Sequence, residues 1–413
     1  MSLKKDYIEK TFDKFWLLNT DISPLPCPHS ETLAQRRYVY QPNNCIKGNR
    51  PVQVGYELST VGLSCRQPRY GANEPAWNPP LSMRLVPFCS NKNSFTAVQV
   101  NDLLDNRDLP FYGELVVNTL DSNYSSPEYI AGTHDQKNLV NISRLPSNRN
   151  VWKQLTKAEV KERRQENDDN RGADCVYGEK FKLSEVDEWG EKNRTTSLIY
   201  GTVLSKGRKV LVHVEIWEDM MLRSKRGHNM KDKPFRLVRV RLLDAESEKP
   251  IFKKSMWLSV WGKRRKELDA EEISWAYRNR YDIEHFFRFG KQRLLLDKFQ
   301  TPDEEHLQNW MEVVSLAYWL LFVGKDEAVH SCRKWQQYDK NHKARIEHQL
   351  NVTPSQVQMQ MTGIILGFDQ NPFLPKVKIK GKGRAKGYKC PKRKRYPVLK
   401  KPKKKVKTHQ KKE

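Results

Sequence analysis

The run ELVVNTL at 114–120, the clearest buried strand in the chain, ends on Asp121 and is followed at once by a helix start, SSPEYI. Ser126 suits an N-cap, Pro127 the first helical position, and Glu128 the acidic first turn. NLVNISRL at 138–145 then reads as the next strand. Upstream, KFWLLNT (14–20) reads as a short strand running into Asp21, and VQVGYELSTVGL (52–63) and LSMRLVPF (81–88) as further strands by alternation and β-branched content. NSFTAVQVNDLLDNRD reads as a helix, and Ile22 to Pro51, rich in Pro and Asn, as loop. Strands interleaved with helices in this order imply an α/β fold, a mixed sheet covered by helices.

The chain has 413 residues, enough for a full core and more than one domain. After Pro146 its character changes. Residues 153–174 are almost wholly polar, and SLIYGTVL, KVLVHVEIW and FRLVRVRLL follow as β-like stretches. We read 146–253 as an inserted β-rich subdomain between two parts of a catalytic core, 1–145 and 254–345. SMWLSVWG (255–262) reads as a strand rejoining the first sheet, followed by one helix from about Asp269 through Lys291 and an apolar helix containing 310–323. Residues 346–413 form a C-terminal region ending in a basic tail expected to lack regular structure. From Lys376 onward, nineteen Lys or Arg face one acidic residue, so this segment carries +18 of the net charge of +26. Such an arm suits a polyanion, of which nucleic acid is the commonest. It is not amphipathic, which disfavours a membrane surface. Seven scattered cysteines without a CxxC pair disfavour a disulfide framework or a zinc site. No signal peptide and no membrane-spanning run is visible, so a cytoplasmic, nucleoid-associated protein of a prokaryotic cell is expected.

Within YRNRYDIEHFFRFGK, the residues Tyr277, Arg280, Glu284 and Lys291 lie at offsets 0, 3, 7 and 14. On one continuous helix these offsets fall within a stripe roughly 60° wide. A solvated charge stripe is the default reading of such a face. Asp21 and Asp121 shift it, because each ends an apolar strand, and ligands of open α/β sheets collect beyond the carboxyl ends of strands. Three convergent carboxylates, Asp21, Asp121 and Glu284, suit one or two hard cations, Mg²⁺ or Mn²⁺. Two such ions can activate water and steady the leaving oxygen of a phosphodiester. Arg280 suits a bidentate phosphate contact and Lys291 a point-charge contact. Arg36, Arg37, Lys47 and Arg50 read either as a DNA-following loop or as a solvated one. Tyr281, Phe286, Phe287 and Phe289 offer base-stacking rings, with Phe287 and Ile283 better read as core, and His285 as surface or packing.

The pattern Y-x2-R-x3-E-x6-K, met in full by Tyr277, Arg280, Glu284 and Lys291, resembles the signature of DDE transposases of insertion-sequence family four. The block from 271 to 310, the segments around Asp21 and Asp121, and the basic tail are similar to that family as well. The resemblance implies an RNase H-like core and a β-rich insertion before the final glutamate. It also implies Mg²⁺-dependent cleavage and transfer of DNA strands, with Tyr277, Arg280 and Lys291 on phosphates near the cut. The expected partner is double-stranded DNA, as transposon ends and target, bound by a homodimer. Members of that family usually carry a helical N-terminal domain for recognising transposon ends, whereas Asp21 lies almost at the start of this chain. Two alternatives stay open on sequence grounds: a non-catalytic DNA-binding remnant or inhibitor, and a simple metal-dependent nuclease.

Overall fold

The computed structural model describes residues 14–40, 51–65, 75–166, 176–185, 194–203, 209–328, 352–368, 383, 387–389 and 392–400. Lys47 and Arg50, and most of the basic tail, lie outside them. The first strands are β1 (Trp16–Pro26), β2 (Arg37–Tyr40), β3 (Val52–Leu63) and β4 (Pro80–Leu85). Helix α1 (Lys92–Leu104), strand β5 (Val116–Leu120), helix α2 (Pro127–Thr133) and strand β6 (Leu139–Leu145) follow. Then come β7 (Asn150–Gln154), α3 (Lys157–Glu166), β8 (Tyr177–Lys182), β9 (Arg194–Val203), β10 (Lys209–Met221), β11 (Phe235–Asp244) and β12 (Met256–Trp261). The helices α4 (Ala270–Arg278), α5 (Tyr281–Arg293), α6 (Glu304–Val323) and α7 (Pro354–Phe368) complete the described elements.

All twelve strands share one sheet, in the order β2-β3-β1-β5-β6-β12-β11-β10-β7-β8, with β4 on β3 and β9 on β10. The pairs β1–β5 and β5–β6 are parallel, and β1–β3 and β6–β12 antiparallel. This mixed sheet flanked by helices is an RNase H-like fold. Strands β7 to β11, from the stretch read as an insertion, are hydrogen-bonded into the same sheet through β11 and β12. The turn that ends β12 requires Gly262, whose φ of 126° and crowding against the Leu139 carbonyl exclude a side chain.

The parallel centre is buried on both faces, as strands covered by helices are. Every residue of β5 is buried. From Phe15, just before β1, successive side chains enter different clusters: Trp16 and Leu18 one, Phe15 and Leu17 the other. Ile273, Ala276 and Tyr277 of α4 pack into the Leu17 cluster, and Ile283, Phe286, Phe287 and Phe289 of α5 into the Leu18 cluster. The two helices therefore cover opposite faces of the sheet. This corrects the single-helix reading of Asp269 to Lys291: the helix breaks at Asn279 and Arg280 as the chain passes over the sheet's open end. The turn tightens there, with the amides of Arg280 and Asp282 donating to the carbonyls three residues back. Asn19 of β1 clamps it by donating from its side chain to the Asn279 carbonyl at 3.0 Å.

Candidate active site

β1 and β5 stay paired in parallel from Trp16 opposite Val116 to Thr20 opposite Leu120. Asp21 and Asp121 are the next residue on each strand, so two carboxylates leave neighbouring strands at the same level. Asp21 is not a strand end, as the sequence suggested: β1 runs on to Pro26, paired on one side with β3. Asp21 instead occupies the first position at which the β5 side of the strand stands open. Asp121 ends β5 proper and opens a short 3₁₀ turn, its Oδ2 accepting from the Asn123 side chain at 3.2 Å.

Helix α4 starts on a capping box in which Asp269 accepts from the Glu272 amide and the Glu272 side chain accepts from the Asp269 amide. It carries Tyr277, 7% exposed, to the sheet's open end. The break then sets Arg280 between two carboxylates, 3.7 Å from Asp21 and 2.5 Å from Glu284. Glu284 lies one turn into α5 and is half-buried. Lys291 reaches back to β1, donating to the Pro24 carbonyl at 3.1 Å. The structure thus joins Asp21, Arg280 and Glu284 directly, with Tyr277 beside Arg280, and ties Lys291 to the same strand. Asp121 acts on Asp21 and Tyr277 through its charge. Among the described residues, no three His, Cys, Asp or Glu side chains form a ready-made metal cluster; the cation between Asp21 and Glu284 is Arg280.

The electrostatics follow from this crowding. Burial pushes the Asp21 carboxyl up to about 6; the Ile22 amide and Arg280 oppose the shift, and Asp121 and Glu284 add to it. Burial likewise pushes the Tyr277 hydroxyl up to about 12, keeping it a proton donor at neutral pH. Burial disfavours the Arg280 charge, yet Tyr277, Asp21 and Glu284 outweigh this and hold its pKa above the ordinary value. Burial lowers that of Lys291.

A cavity of about 520 Å³ opens beside Tyr277 and Arg280, walled by Arg144, Arg239, Arg241 and Arg278. These four arginines were not singled out from the sequence. The alternation R-x-R at 239 and 241 was the available signal, since it places both on one face of β11. Beneath them lies Glu215, 3% exposed, within 2.8 Å of Arg194, 3.3 Å of Arg241 and 3.5 Å of Arg239.

Other candidates are placed differently. Arg36 and Arg37 are 3% and 5% exposed, so they follow no DNA backbone; Arg37 pairs with Glu57 at 2.7 Å. Phe286, Phe287 and Phe289 are core, whereas Tyr281 is 58% exposed beneath the Arg280 guanidinium. His285 is exposed.

An RNase H-like sheet thus carries acidic side chains, flanked by arginines, at one end. A family model described as the transposase DDE domain matches residues 79–320, more than half of the chain, and the chain belongs to that family. The match takes in Asp121, Tyr277, Arg280, Glu284 and Lys291, while Asp21 precedes it. No curated protein matches the chain. No helix among the described residues is long and apolar enough to cross a membrane.

Proposed function

We propose that this transposase cleaves DNA strands at insertion-sequence ends and joins them to a target, using a divalent cation bound by Asp21, Asp121 and Glu284. The observation that carries the reading is the Asp21–Arg280–Glu284 network at the level where Asp21 and Asp121 leave adjacent strands. The residues fit Mg²⁺ or Mn²⁺: all donors are hard carboxylate oxygens, and Asp21 is a carboxyl whose charge is disfavoured until a cation stands beside it. When bound, such a cation activates a water or a 3′ hydroxyl and steadies the departing oxygen.

The chain's own residues do the rest. Arg280 exchanges its contact with Glu284 for a phosphate, its planar fork matching two phosphate oxygens. Tyr277, protonated up to about pH 12, donates to the same group. Lys291 adds a point charge on the β1 side. The arginine-walled cavity draws the DNA backbone toward Tyr277 and Arg280.

Glu284→Gln tests this reading, because it keeps the side chain's shape and hydrogen-bonding capacity while removing a metal-holding charge. Cleavage of a pre-nicked end duplex in Mg²⁺ should be lost, while DNA affinity measured in Ca²⁺ is equal or slightly higher. Cleavage near the parental level would overturn the assignment of Glu284.

A further inference from the structure

The turn that joins β10 to β11 carries a strongly positive tip. Residues 222–231 read LRSKRGHNMK, four Lys or Arg without an acidic residue. Lys225 and His228 close the turn by exchanging backbone hydrogen bonds of 3.2 and 2.8 Å, around a Gly227 whose φ of 84° suits a residue without Cβ. Ser224 fixes its base: its amide donates to the Tyr177 hydroxyl at 3.1 Å, and its own hydroxyl accepts from the Met230 amide at 2.9 Å. The Arg223 guanidinium lies over Trp152, 4.8 Å from the ring centroid. Arg223, Lys225 and Arg226 are all exposed.

Packing against α2 decides where this tip stands. Leu222 and Met230 share a buried cluster with Ile130 of α2. Lys225 pairs with Glu128 in the first turn of that helix, while Asp232 and Lys233 act on His134 at its far end. Helix α2 starts just after Asp121, so the Lys225 end of the turn lies toward the carboxyl end of β5. The face is set by β6. Arg144 lines the arginine-walled cavity, and the next residue, Leu145, packs with Ile130 and Met230. Successive strand residues point to opposite faces, so the cavity and the basic turn flank the sheet's open end from opposite sides.

We propose that the β10–β11 turn is a second DNA-phosphate contact, made by Arg223 and Arg226 and anchored through Lys225, so that the duplex is held from both faces of the sheet's open end. This rests on the DNA-cleaving reading above. Stacking on Trp152 leaves the in-plane N–H groups of Arg223 for phosphate oxygens. A turn already ordered by its own hydrogen bonds presents these cations at little further entropic cost.

The test binds the full chain in Ca²⁺ to a pre-nicked end duplex, comparing the parent with Arg226→Ala and, on the cavity side, the exposed Arg144→Ala. Thermal melting without DNA should be the same in all three. In Arg226→Ala the slope of log affinity against log salt should become shallower by about 0.9, the value of one phosphate contact. Phosphate ethylation should interfere with parental binding at separate patches, one lost in Arg226→Ala and another in Arg144→Ala. An unchanged slope, or an Arg226→Ala interference pattern like the parent's, would overturn the contact at the turn. Loss of the same phosphates in both variants would overturn the two-sided grip while leaving the DNA reading intact. A parent that fails to bind the duplex would overturn the DNA reading and this proposal together.

Discussion

Asp21 and Asp121 are each the first residue beyond the same rung of a parallel strand pair, Thr20 opposite Leu120. Residues one hundred positions apart are thereby set at one level by backbone register alone, before any side chain chooses a rotamer. Arg280 answers that concentration of charge, contacting Asp21 and Glu284 at once. It is a cation in the position a metal ion would compete for.

Replacing Arg280 by Ala should therefore separate two effects. In the free protein the divalent site loses its resident competitor, so Mn²⁺ should bind more tightly, as followed by paramagnetic resonance. Cleavage should fall by roughly a hundredfold or more, since the phosphate is no longer held in line. Mn²⁺ affinity falling together with cleavage would mean that Arg280 supports the carboxylates rather than competing for them.

The Asp21 carboxyl titrates near 6 in the folded protein, against 3.8 for the ordinary group. A raised folded pKa means that the folded state holds the proton longer than the unfolded chain does. Ionising Asp21 thus costs metal-free stability as pH rises from about 4 to above 6, on the order of 3 kcal/mol at most. Asp21→Asn should raise the metal-free melting temperature at pH 8, with the gain vanishing by pH 4. Correspondingly, cleavage at limiting metal should fall about tenfold per pH unit below 6, because the proton and the cation compete for one carboxylate. A flat pH profile between 5 and 7 would contradict the burial of this group.

Lys291 holds the Pro24 carbonyl and is half-buried, with burial lowering its pKa. Lys291→Met keeps the stem's packing and removes the charge. DNA affinity should weaken similarly for all sequences, and the slope of log affinity against log salt should become shallower by about 0.9, the value of one phosphate contact. An unchanged slope would assign Lys291 to pinning β1 alone.

Much of this site was legible in the sequence because its pieces are local. ELVVNTL, the S-P-E helix start and the Asp269–Glu272 capping box each state their structure within a few residues. The break at Asn279 and Arg280 was not legible. Neither residue is Gly or Pro, and the interruption is imposed by the need to cover both faces of the sheet and by a clamp from Asn19, 260 residues away. Pro24 and Pro26 misled in the opposite direction, suggesting loop. They are tolerated in β1 because the strand is paired only with β3 there, leaving its other side without ladder bonds to lose. Arg36 and Arg37 looked like surface cations because a lone sequence gives no sign of what will cover them. Part of that cover comes from Tyr396, at the other end of the chain.

The order in which β1, β5 and α5 occur along the chain also bears on protein synthesis. A nascent polypeptide carries Asp21 and Asp121 well before Arg280 and Glu284, which arrive only once every described strand of the sheet has been translated. The helix break that presents Arg280 further depends on both sheet faces being available to pack against. On the function proposed above, an unfinished chain would thus lack an assembled cutting centre, and the capacity to cleave DNA would appear only late in each round of translation.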